Sequence, residues 1–360
     1  MVKTRLLATL VATAVVAGAP LGTVAKDQSI DFGDAPFVIF APAPPKPAEI
    51  YHYPIPDGAE DYWDLWEADA PWQDALEHID AFATHGWILR YSSSDEDLRR
   101  MLSFLRERDI PLAMEVEPLT WPGPEVCDHT ESFEGPYELE EASRIRRLGG
   151  RIDFIAFDEP YSHAHKLTGP GACRYPVEQV VDEAWEFVQE FRRIHPGVKV
   201  GSIEPLWIEP EIGARDMEIW LDTWEERTGE PFAFLSVDID WLRDDWPQVV
   251  REVEAVADAR GVPLGALYLG GHNANENDQW LAEMAQHAAT LEVGAGVTPD
   301  IVGFYTWRPQ PDRLLPDDDI NAYTGRINQY FGERTLLEAP TVEGKVVTGR
   351  LNTLDGDPLA

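Results

Sequence analysis

Short apolar runs alternate along this chain with longer stretches whose apolar positions recur every three or four residues. The runs fall at 37–40, 87–91, 111–116, 154–157, 198–203, 234–237, 264–269 and 301–305. Each is too continuous for a half-exposed strand and reads as a strand buried on both faces. Between them the helical period is clear. Ser93 and Ser94 precede Leu98, Met101, Leu102 and Leu105, with Glu96 and Asp97 placed to complete a capping box. Val180, Val181, Ala184, Trp185, Val188 and Phe191 mark a second helix, stopped at His195-Pro196-Gly197. Val249, Val250, Val253 and Val256 mark a third, ending at Gly261-Val262-Pro263.

Buried strands joined by helical crossovers predict an α/β fold with a parallel sheet covered on both sides. Eight units over roughly 300 residues fit a (β/α)8 TIM barrel. The alternative is an open doubly wound sheet, but no GxGxxG turn follows the first run.

The ends of the chain read differently. Residues 1–25 carry Lys3 and Arg5, the apolar run LLATLVATAVVAGA, and small residues around Thr23-Val24-Ala25, the pattern of a secretory signal peptide. The barrel is then expected over 26–338. Residues 339–360 form a short β-rich tail: TVEGKVVTGR alternates, and an Asp355-Gly356 turn follows. It resembles the opening strands of small immunoglobulin-like modules appended to secreted enzymes, which implies a truncated chain or a linker. A terminal hairpin packed on the barrel is the other reading.

Composition narrows the partners. Sixty-five acidic residues against 29 basic ones leave a formal charge of -36, which repels nucleic acid, anionic membranes and polyanionic substrates. No segment is long and apolar enough to span a bilayer. The expectation is a soluble, secreted monomer, extracellular or periplasmic. The two cysteines, Cys127 and Cys173, suit one disulfide between neighbouring loops of an exported protein better than a metal cluster, since no CxxC pair occurs.

A barrel gathers the carboxyl ends of its strands around one mouth, so the residues ending each run sample a single site. Those residues are Arg90 and Tyr91, Glu115 and Glu117, then Asp158, Glu159, Tyr161 and His163. The later runs contribute Glu204 and Trp207, Asp238, Asp240 and Trp241, His272 and Asn273, and Trp307 and Arg308. Asp and Glu often cap the helix after a strand, which is the plain explanation for Asp158, Glu117 and Asp240. Glu159 and Glu204 each precede a proline that stiffens the turn and aims the side chain. Trp121, Trp207, Trp241 and Trp307, with Tyr91 and Tyr161, offer aromatic faces of the kind that pack on a pyranose.

Phe157-Asp158-Glu159-Pro160 resembles the Asn-Glu-Pro of clan-A-type (β/α)8 glycoside hydrolases, and the resemblance implies that Glu159 is the acid/base. That clan places its nucleophilic glutamate at the end of strand seven, where this chain has Gly270-Gly271-His272, with Glu276 further on. A second carboxylate is therefore expected from strand five or six, Glu204 first and Asp238 next. The expected activity is glycosidic hydrolysis of a poly- or oligosaccharide, with no cofactor, in which one protonated carboxyl donates to the leaving oxygen and an ionised partner attacks carbon or activates water. Two other readings stand beside it. His163, His165, Asp238, Asp240 and His272 could hold a divalent cation in a metal-dependent hydrolase of phosphoesters or acyl groups. Aromatic platforms alone could serve a non-catalytic carbohydrate-binding barrel.

Overall fold

The computed structural model of the protein describes residues 36–45, 58–128, 131–271 and 273–338, with backbone alone over 333–338. The leader at 1–25 and the tail at 339–360 lie outside the described residues. Eight parallel strands close into a barrel in sequence order. They are β1 (Phe37–Ala41), β2 (Ala81–His85), β3 (Leu112–Val116), β4 (Phe154–Asp158), β5 (Lys199–Leu206), β6 (Leu235–Ile239), β7 (Leu264–Tyr268) and β8 (Ile301–Tyr305). β8 returns to β1 in the register Phe37↔Ile301 to Ala41↔Tyr305, which leaves no open edge. The fold is the TIM barrel that the alternation of elements predicts.

The second strand is displaced from its expected place. Residues Gly86–Tyr91 form a short helix, and β2 is the less apolar Ala81–His85 before it. Within that helix Ile88 and Leu89 are buried while Tyr91 is exposed, a helical partition of a run too short for periodicity to decide. β2 earns its position through register, Ile39↔Ala81 on one side and His85↔Glu115 on the other.

The helices follow local rules. Asp95–Glu107 begins with a capping box in which Ser94 Oγ accepts from the Asp97 N–H and Asp97 accepts from the Ser94 N–H, both at 3.1 Å. Asp97, and not Glu96, closes the box. Val177–Ile194 ends before His195-Pro196-Gly197, as the breakers require, and Gly197 takes a left-handed φ of 85°. His195 stays buried and accepts at Nδ1 from the Ile152 N–H at 3.2 Å, so the breaker also ties the helix end to the chain entering β4.

Alternation along each strand sends one set of side chains to the barrel interior and the other to the helix layer. On the outer side of β4, Phe157 meets Trp224 and Phe232, which stack on each other at 4.4 Å. Ser202 of β5 accepts there from Trp220 Nε1 at 3.1 Å. Burying each of these large rings contributes about 2–3 kcal/mol, which fixes helix Ala214–Thr228 against β4 and β5. The parity of these contacts decides where the acidic side chains of β3 to β6 point. No helix among the described residues is long and apolar enough to cross a membrane.

Candidate active site

At the carboxyl ends of the strands lies a cavity of about 500 Å3. Eight carboxylates line it: Glu115, Glu117, Glu131, Glu134, Glu138, Asp158, Glu159 and Asp238. Four rings, Trp87, Tyr91, Trp207 and Trp307, share the lining with His85, Gly86, Ile203 and Leu267.

Glu115 ends the inward row of β3, and Asp158 and Asp238 do the same for β4 and β6. Glu115 Oε1 lies 3.1 Å from His85 Nδ1, while its Oε2 is buried without a hydrogen-bond partner. Glu117 accepts from the Phe133 N–H at 3.1 Å. Burial, reinforced by Glu134 and Glu131, pushes the Glu117 carboxyl up to about 8. Burial first, then the charge of Glu115, drives Asp158 well above the carboxylate range. Asp238 is pushed up to about 7 by burial and by Glu115 and Asp240, with Arg308 pulling it down.

Glu159 follows β4 directly and sits in the left-handed region at φ 52°, a conformation unusual for a side chain that large. Its N–H is held by the Ile203 carbonyl at 3.1 Å, and its carbonyl takes the His163 N–H at 3.0 Å. Its carboxyl Oε2 lies 2.9 Å from His163 Nε2, one turn further on. Burial, then Asp158 and Asp238, raises this carboxyl well above its ordinary value. His163 is itself buried, with its ring edge-on to Trp207 at 5.1 Å and its Nε2 3.5 Å from Glu131.

Glu204, expected here first as the second carboxylate, does not line the cavity. β5 runs through to Leu206, so Glu204 shares the outward parity of Ser202 while Ile203 takes the inner face. Glu204 is fully buried, accepting at Oε1 from the Tyr161 N–H at 3.0 Å and at Oε2 from the Ser162 N–H at 3.1 Å and hydroxyl at 2.5 Å. Burial pushes it up to about 8 against the pull of these donors.

The remaining sequence candidates divide cleanly. Tyr91, Trp207 and Trp307 reach the cavity, and His163 touches two residues of its wall. Arg308 stands near enough to Asp238 to act on its charge. Arg90 pairs with Glu140 at 2.9 Å and lies over Tyr137, outside the cavity. Tyr161 donates to Asp216 at 2.9 Å on the helix side. Trp121 donates to the Cys127 carbonyl at 3.2 Å, and Trp241 stacks on His287 at 4.2 Å. Asp240 accepts from the Leu242 N–H at 3.1 Å in its own turn, and the Asn273 carbonyl accepts from Asn275. His272 lies outside the described residues. Cys127 and Cys173 form a disulfide, Cα to Cα 4.7 Å, between the loops after β3 and β4.

Several wall residues were not foreseen. His85 and Trp87 were hidden by the misplaced second strand. Glu131, Glu134 and Glu138 come from the loop after β3 and the helix Gly135–Arg147, with the cue of three acids in eight residues. Glu138 presses so closely on Gly86 that a Cβ there would lie 2.1 Å from its carboxylate oxygen. As for metal, donor atoms of Glu131, Glu159 and His163 lie within 4.8 Å of one another and could hold a divalent cation. Among the described residues of the cation set expected from sequence, His165 lies 2.7 Å from the Tyr175 carbonyl and Asp240 accepts within its own turn.

No family model and no curated protein matches the chain. Among solved structures it is similar to fungal beta-1,4-galactanase, at 11% identity over 72% of this chain and 90% of that one, TM-score 0.47. It is similar to GH5_18 from Streptomyces cattleya in complex with GlcNAc, at 13% over 85% and 82%, TM-score 0.48. An HpcH/HpaI aldolase from Desulfitobacterium hafniense DCB-2 is also similar, at 10% over 86% and 95%, TM-score 0.37.

Proposed function

We propose that the protein is a glycoside hydrolase in which Glu159 donates the proton and Asp238 is the ionised partner. The observation that carries this reading is that both carboxyls line one cavity with Trp207 and Trp307, with the charge of Arg308 acting on Asp238. Burial and two neighbouring acids keep the proton on Glu159, whereas Arg308 favours the ionised form of Asp238. Glycosidic cleavage needs one protonated and one ionised acid: Glu159 protonates the leaving oxygen as the bond to the anomeric carbon breaks, and Asp238 attacks that carbon or takes a proton from water. His163 holds the Glu159 carboxyl at 2.9 Å, and the rings receive the sugar faces.

The test is Glu159→Gln on a panel of polysaccharides. Turnover should fall by about 10^2- to 10^4-fold while ligand affinity is retained. Equal turnover by the variant overturns the reading, and unaltered binding with no turnover in the wild type returns the carbohydrate-binding barrel. The Glu131, Glu159 and His163 cluster supports a second reading, a metal-dependent hydrolase. That one predicts activity abolished by a chelator and restored by a divalent cation.

A further inference from the structure

The lining of the cavity is strongly acidic. Half of its sixteen residues are carboxylic acids, and among the described residues no lysine, arginine, asparagine or glutamine lines it. A neutral sugar hydroxyl both donates and accepts, and sites that bind neutral sugars supply both kinds of partner. A protonated carboxyl can donate as well, whereas one ionised against a cationic ligand only accepts. The wall therefore matches a ligand rich in donors and carrying positive charge. Glu115 gives the sharpest sign: nine-tenths buried on the cavity wall, it holds His85 with one oxygen while the other has no hydrogen-bond partner. A buried acceptor left unmet costs about 1–3 kcal/mol, and an N–H donor from a ligand would remove that cost. Burial and mutual repulsion keep several neighbouring carboxyls protonated, and an entering ammonium group would replace those protons as the countercharge. Trp207 and Trp307 add the aromatic faces that suit both a sugar ring and a cation.

We propose that the cavity takes an amine-bearing saccharide, with protonated amino groups seated against Glu115, Glu131 and Glu134 and the sugar faces on Trp207 and Trp307. That such a ligand is also cleaved rests on the hydrolase reading above; that it binds does not.

Binding is measured by calorimetry on the Glu159→Gln variant, with glucosamine and galactosamine tetramers each set against its N-acetylated form. In at least one pair the free amine should bind about tenfold more tightly or better. That preference should shrink several-fold between 0.05 and 0.5 M salt, roughly a threefold change in screening length. Glu115→Gln should erase most of the preference and leave the N-acetylated ligand unaffected, and Glu131→Gln, at an exposed loop position, repeats the test where folding is not at risk. No amine preference in either pair overturns the proposal, as does tight binding of calcium or zinc ions by a protein that ignores the amines. Turnover by the wild type separates the two claims: amines bound and uncleaved defeat only the hydrolase, and neutral oligomers cleaved without amine preference defeat only this inference.

Discussion

Ser162 gives both its backbone N–H, at 3.1 Å, and its hydroxyl, at 2.5 Å, to one carboxylate oxygen of Glu204, and the other oxygen takes the Tyr161 N–H. Glu204 thus holds from behind the turn that presents Glu159. All three contacts are to that turn, so we propose that Glu204 acts as a positioning residue. Replacing Glu204 by alanine strands buried donors and should destabilise the fold by about 3–5 kcal/mol. Glu204→Gln retains one acceptor and should cost less, while kcat falls in both because Glu159 loses its anchor and KM moves little. Chemical denaturation with steady-state kinetics checks this, and an alanine variant of wild-type stability would refute the positioning role.

The raised carboxyls tie stability to pH. Glu117 and Glu204 stand at about 8 and Asp238 at about 7, against ordinary values of 4.5 and 3.8. Between those limits the folded chain binds more protons than the unfolded one, so stability is full below about pH 4 and is lost as pH rises towards 8. Tm should be lower at pH 8 than at pH 5 in equal salt, by about 2 °C for each kcal/mol lost. Glu204→Gln and Asp238→Asn should flatten the slope. A Tm that climbs over this range contradicts the assignment.

Glu159 stores backbone strain where its side chain is needed. At φ 52° a glycine would sit without a Cβ clash. Glu159→Gly should therefore abolish activity and yet raise stability by about 1 kcal/mol at neutral pH, aided by the loss of a buried acid. Loss of stability along with activity would show that the His163 contact outweighs the strain.

The Cys127–Cys173 bridge closes a loop with a sequence separation of 46 that contains Glu131, Glu134, Asp158 and Glu159. Opening it by reduction, or by replacing both cysteines with serine, should cost about 4 kcal/mol in the chain-entropy account. Activity should also fall, because two cavity acids ride on the bridged loop after β3. Urea unfolding with and without reductant measures the first effect, and a midpoint indifferent to reductant would exclude it.

The barrel could be read from the chain because burial and element length are local properties. Most strands buried on both faces are continuously apolar, and a helix lying on the sheet repeats its apolar positions every three or four residues. The same logic placed Glu159 and Asp238 at strand ends, where a TIM barrel opens its site. Which side a residue faces is settled between strands. Ile203 and Glu204 are neighbours in sequence, yet the register of β5 against β4 and β6 turns the first into the cavity and the second into the helix layer. The run at 87–91 has strand-like composition, but hydrogen bonding to β1 and β3 selects 81–85 instead and brings in His85. Glu131 and Glu134 join the wall from the loop after β3 and Glu138 from the helix Gly135–Arg147, a long-range placement that no local period encodes.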